Sequence, residues 1–139
     1  MSRLPLLAFA LACLLAFACP ATAAAGSEKS MLKQINAARA ANGAPPVKLS
    51  RSLTSACRSY ARKMARTGRF RHARNARGKE ILAFTRGQTR MRWVIKAWLR
   101  SPVHRRVLIG KNFRRVGIGT KRGRVGGGRA TVWVVRFSR

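Results

Sequence analysis

The chain carries 31 lysines and arginines against two acidic residues, a formal net charge of +29 at neutral pH. So much like charge repels itself in a compact state and costs stability. Glu28 and Glu80 must therefore serve every acidic role, and the fold has to be held by packed apolar faces. Disulfides give no help. Arg3 followed by the apolar run Leu4 to Ala18, with small residues at Ala21-Thr22-Ala23, reads as a cleavable export signal. Removing residues 1–25 leaves Cys57 as the only thiol of a domain spanning residues 26–139. Cys19 raises a lipid-anchor alternative, but Ala16-Phe17-Ala18 is a poor match to the triplet that precedes a lipidated cysteine. The apolar run is short for a bilayer span and no second one follows, so no transmembrane segment is expected after cleavage.

Periodicity divides the domain into a helical and a strand-forming half. Ser27 is placed to cap a helix to about Ala41, with Met31, Leu32, Ile35 and Ala38 at helical spacing, Glu28 in its first turn and Asn42-Gly43 as the stop. After the extended Pro45-Pro46, Ser50 caps a second helix with the stripe Leu53, Ala56, Cys57, Tyr60, Ala61 and Met64, ended by Gly68. Cys57 on that stripe reads as a small buried hydrophobe. Residues 69–87 read as a long basic loop with one buried piece, Ile81 to Phe84. Thr89 caps a third helix to about Arg100, with Trp93 or Val94, Ala97 and Trp98 inward, and Ser101-Pro102 starts a short fourth one carrying His104. Val116 and Ile118, then Val132 to Phe137, are β-branched or aromatic around a glycine-rich stretch from Lys121 to Arg129, the pattern of an antiparallel hairpin. The pattern predicts an α+β domain, helices packed around a small antiparallel sheet.

Few residues can carry chemistry. Gly117-Ile118-Gly119 and Gly126-Gly127-Gly128 lack the Lys-Ser/Thr pair and the following helix of a phosphate loop. No Asp is present for a serine-type triad. What remains is His72, His104 and Glu80. Three such ligands suit zinc or another divalent metal with an open position, although no short motif fixes their geometry.

At these residues the sequence resembles the CAP superfamily (SCP/PR-1-like domains), in particular bacterial SCP-like extracellular proteins. Asn36-Ala37-Ala38-Arg39 is similar to the family's Asn-x-x-Arg, and Phe70-Arg71-His72 to its Phe-Ser-His. Glu80-Ile81-Leu82-Ala83 resembles Glu-Asn-Ile-Ala, and Ala97-Trp98-Leu99-Arg100-Ser101-Pro102-Val103-His104-Arg105 resembles Ala-Trp-x-x-Ser-Pro-Gly-His-Arg. The closing segments from Phe113 to Gly119 and Trp133 to Phe137 resemble the family's last strands. The resemblance implies an α-β-α sandwich with a central groove lined by two His and two Glu, of which His72, Glu80 and His104 match three. The fourth acid's place is taken by Trp93, which weakens any metal site and removes a carboxylate acid/base pair, while Lys79 makes the groove edge more cationic.

These features predict a secreted, periplasmic or extracellular, non-enzymatic binding module with His72, Glu80, Trp93 and His104 around a groove for a lipid or other small ligand. The alternative is a cationic protein held to anionic envelope polymers, with salt-sensitive affinity. Specific nucleic-acid reading is not expected, since no recognised motif for it is present. A metal-dependent hydrolase is disfavoured by the missing second acid and the absent nucleophile partners.

Overall fold

The computed structural model describes residues 21–87 and 90–139, with side chains from Ser27 onward. The apolar run 4–18 and the expected cap Thr89 lie outside the described residues. Eight elements follow in the order α1 (Ala21–Ala40), β1 (Lys48–Leu49), α2 (Arg51–Thr67), β2 (Lys79–Thr85), α3 (Met91–Arg100), α4 (Pro102–Leu108), β3 (Arg115–Val125) and β4 (Gly128–Ser138).

The strands form one sheet in the order β1-β3-β4-β2. β4 pairs antiparallel with β3 and with β2, but β1 joins the far edge parallel to β3, so the sheet is mixed rather than purely antiparallel. The pleat sends alternate residues to opposite layers. Ile81, Val116, Ile118, Trp133, Val135 and Phe137 meet Met31 and Ile35 of α1, Val94, Ile95 and Trp98 of α3, and Leu108 of α4. Leu82, Val132, Val134, Ala130 and Val125 meet Cys57, Ala61 and Met64 of α2. The outcome is the expected α-β-α sandwich, with α2, among the described residues, the one helix on its side.

Local chemistry explains both ends of α2. Ser50 has extended backbone and its side chain accepts from Leu53 N, while Gly68 closes α2 in the left-handed region at φ 71°. Both match expectation. Helix α1 differs: its alanine-rich start reaches back to Ala21, so Ser27 is not its cap and Glu28 lies beyond its first turn. In α3 the inward residues are Val94, Ile95 and Trp98, whereas Trp93 and Ala97 face outward. Segment 79–85, expected as loop with a buried piece, is a strand because β4 supplies its backbone partners along the full length.

The glycines of β3 are part of the strand too. Gly117, Gly119 and Gly123 face α2, and a Cβ on Gly119 would run into the backbone of Cys57 and Arg58. Their missing side chains let α2 lie directly on the sheet. The turn is confined to Gly126 and Gly127, at φ 57° and 81°, a pair of positive values that suits a two-residue hairpin.

Candidate functional site

Glu80 sits near the start of β2 on the α2 face, opposite Arg136 of β4 in register. Its side chain is 3% exposed, and both oxygens are engaged. Oε2 accepts from Arg136 Nε at 2.8 Å; Oε1 accepts from the Ala73 amide at 3.1 Å and lies 2.9 Å from His72 Nδ1. The Arg136 guanidinium also stacks over the Tyr60 ring of α2, 5.3 Å from its centroid, and the Tyr60 hydroxyl donates to the Arg71 carbonyl at 2.7 Å. One carboxylate thus organises the segment carrying His72. Arg136 and Tyr60 are the members that sequence reasoning missed; an arginine at an inward strand position, in a chain with two carboxylates, was the available signal.

His72 leaves the pair with its imidazole 61% exposed. It lines a 380 Å³ cleft with Tyr60, Lys63, Met64, Thr67, Arg69, Arg71, Ala73, Arg74 and Asn75. Neither Trp93 nor His104 lines that cleft. Trp93 stands on the outer side of α3, 51% exposed, with Arg92 and Lys96 cations 5.8 and 5.1 Å from its ring centroid.

His104 is held by the turn between α3 and α4. Ser101 ends α3 and precedes Pro102 at the start of α4, yet its hydroxyl caps no amide and instead lies 2.8 Å from His104 Nδ1. Burial lowers the His104 pKa, and the neighbouring His72 lowers it further. The two imidazoles are therefore within electrostatic reach of each other. A lowered folded-state pKa means that the unfolded chain binds the proton more readily, so stability is full above about pH 6.5 and falls as the pH drops below it. Thermal melts at pH 7, 6 and 5 should show a loss of stability in the wild type that is reduced in His104→Gln.

His72, Glu80 and His104 do not fit a divalent metal. Among the described residues no three His, Cys, Asp or Glu side chains converge as a metal-holding group. The donor set gives the reason: the Glu80 oxygens are taken by a guanidinium, an amide and an imidazole, and the Arg136 cation beside them repels a second cation. Other reactive groups are similarly occupied. Burial pushes the Cys57 thiol up to about 12, which leaves it protonated and inert. Glu28, buried, takes a two-pronged ion pair from Arg58 at 2.6 and 2.5 Å, joining α1 to α2 rather than acting on a helix dipole.

The Asn36 to Arg39 segment is architectural. Asn36 exchanges two hydrogen bonds with the backbone of Val47, at 2.9 and 3.0 Å. Arg39, fully buried, donates to the carbonyls of Pro45, Leu108, Gly110 and Phe113. Together they fasten α1 to β1 and to the loop after α4.

Fold and site define a small α-β-α sandwich with a Glu-anchored imidazole at one sheet edge. The sequence model described as CAP, cysteine-rich secretory protein family, matches residues 32–137, and the chain belongs to that family. Solved structures similar to it include an outer surface protein from Borrelia burgdorferi, with TM-score 0.64 and 19% identity over 82% of this chain and 93% of that one. An extracellular SCP-domain protein from Bacillus anthracis has TM-score 0.59 and 13% identity, covering 83% of this chain. A cysteine-rich secretory protein from Staphylococcus aureus has TM-score 0.55 and 12% identity, covering 84%. This chain spans 41% and 39% of the last two. At such identities the likeness shows the fold alone. No curated protein matches the sequence.

Proposed function

We propose that this domain is an exported, non-enzymatic binding module whose ligand seat is the cleft beside His72, an imidazole held by Glu80 and, behind it, Arg136, with His104 nearby. The observation that carries this reading is the wall of the cleft: Lys63, Arg69, Arg71 and Arg74 line it together with His72, and no carboxylate does. Such a wall favours a small ligand with an anionic group, such as a lipid headgroup, over a neutral or cationic one. The occupied carboxylates and the protonated thiol argue against acid/base or nucleophilic catalysis. Export is supported by the signal-like residues 1–25 and by relatives described as extracellular or outer-surface proteins. Among the described residues no helix is long and apolar enough to cross a membrane.

Calorimetric titration with a short-chain phosphatidic acid below its micelle concentration tests the cleft. Wild type should bind, and His72→Ala and Arg71→Ala should each weaken binding about tenfold, equivalent to about 1.4 kcal/mol. Equal affinities in all three proteins would remove the cleft from the account. The second reading, attachment to anionic envelope polymers, is favoured by the net charge and predicts affinity that falls steeply with salt whatever stands at position 72.

A further inference from the structure

The far end of the β3–β4 hairpin carries a second concave surface, remote in sequence from His72. Its cavity measures 590 Å³ and is lined by Gly87, Arg122, Gly123, Arg124, Arg129, Ala130 and Thr131. The register explains how three arginines come together. Arg122 pairs with Thr131 and Arg124 with Arg129, so the alternation of the strands puts all four side chains on one face. This is the face that Val116 and Ile118 bury under the helices nearer the other end of β3; beyond Thr120 that cover has stopped, and Arg122, Arg124 and Arg129 are exposed.

Arg124 directly opposite Arg129 is an unfavourable cross-strand pair, because like charges there repel. No side-chain carboxylate of the chain offsets it, since Glu28 is paired with Arg58 and Glu80 with Arg136 and His72. Arg86, the residue before Gly87, spends its guanidinium on the Gly126 carbonyl and the Phe84 ring. The three remaining guanidinium groups are donors in search of external acceptors, on a two-stranded platform whose spacing the ladder fixes.

We propose that this cleft binds the phosphates of a linear phosphodiester chain, with Arg122, Arg124 and Arg129 as the phosphate ligands and the Thr131 hydroxyl as a further donor. The guanidinium fork matches a phosphate two oxygens at a time, which an ammonium does not. The two-residue repeat of β3 sets Arg122 and Arg124 about 6.7 Å apart, so each takes a different phosphate and a repeating chain is held where a single ion is not. Among the described residues the lining contains no aromatic and no large apolar side chain, so bases are not stacked and acyl chains are not sheltered. Recognition is of the charge repeat alone. This site is separate from the His72 cleft and shares no residue with it.

The test is fluorescence anisotropy with two labelled probes of equal charge, a poly(glycerol phosphate) oligomer and an oligothymidylate, from low to moderate salt. The variant Arg122→Gln/Arg124→Gln/Arg129→Gln is compared with Lys29→Gln/Lys33→Gln/Arg51→Gln, which removes the same charge from exposed positions of α1 and α2. The hairpin variant should lose at least about tenfold in affinity for both probes, and its slope of log K on log salt should fall by about 2; the control should change by less than about threefold. His72→Ala should bind both probes like wild type, which keeps this outcome distinct from that of the His72 cleft. Equal losses in the two triple variants would reduce the interaction to diffuse charge and overturn the proposal. Binding of the oligothymidylate alone, or of anionic vesicles but neither oligomer, would overturn it as well.

Discussion

Glu80→Ala should destabilise the domain by about 3–5 kcal/mol, the cost of leaving a buried partner charge uncompensated. Glu80 and Arg136 expose 3% and 7% of their side chains, so water cannot replace what the substitution removes. The Ala73 amide and His72 lose their acceptor at the same time. Urea unfolding should show a lower midpoint with an unchanged slope, the mark of lost stability without a change in the surface exposed. Glu80→Gln keeps an acceptor oxygen but not the charge, and should fall between wild type and alanine. The double variant Glu80→Leu/Arg136→Leu should recover part of the loss, because removing both charges spares the buried cation. A loss below about 1 kcal/mol for Glu80→Ala would mean that the pair behaves as a solvent-exposed one.

That a single carboxylate carries so much follows from the composition, and the composition also shows how far the sequence could be read. Helix α2 was legible because its caps, Ser50 and Gly68, are local, and α4 because Pro102 opens its first turn. The α+β class followed from helical stripes giving way to β-branched and aromatic residues, and the α-β-α sandwich from the family resemblance. Strand β2 and the glycine-bearing part of β3 were hidden, since each depends on a partner distant in sequence. Lys79 to Thr85 becomes a strand only beside β4, and Gly123 reads as part of the glycine-rich connection until Ala65 of α2 is laid against it. The mixed character of the sheet was invisible for the same reason: two residues, Lys48 and Leu49, make the parallel pairing.

The candidate site divides in the same way. His72 and Glu80, eight residues apart, were singled out together and the structure joins them directly. His104 is brought within electrostatic reach of His72, whereas Trp93 is turned to solvent by the helical phase that buries Val94 and Trp98. The residue that counts against a metal lies outside the inventory: Arg136, whose charge claims the Glu80 carboxylate. Scarcity of acids was the warning: with two carboxylates among so many cations, each one is more readily spent on a guanidinium than kept for a metal.

Arg39 carries the second large effect, and it does so with no carboxylate at all. Met31, Ile35 and Arg39 recur every fourth residue of α1, so the helix that buries the first two buries the third. Once inside, its fork donates to Pro45 O and Leu108 O at 2.8 Å each, to Gly110 O at 3.1 Å and to Phe113 O at 3.5 Å, with its charge over the Phe137 ring. Desolvation, then repulsion from Arg114, lowers its pKa, but an arginine remains charged under any working condition. Arg39→Met should therefore cost about 4 kcal/mol, since it strips several carbonyls of a charged donor while keeping much of the side-chain bulk. Arg39→Lys should recover less than half, because one ammonium cannot reach acceptors spread around a planar fork. The loss should have a location as well as a size. Amide exchange at Gly110 and Phe113, which follow α4 and depend on this anchor, should accelerate more than exchange at Cys57 or Ala61 of α2. Uniform acceleration, or a Met variant as stable as wild type, would show that packing of α1 alone holds the loop and that the arginine is dispensable.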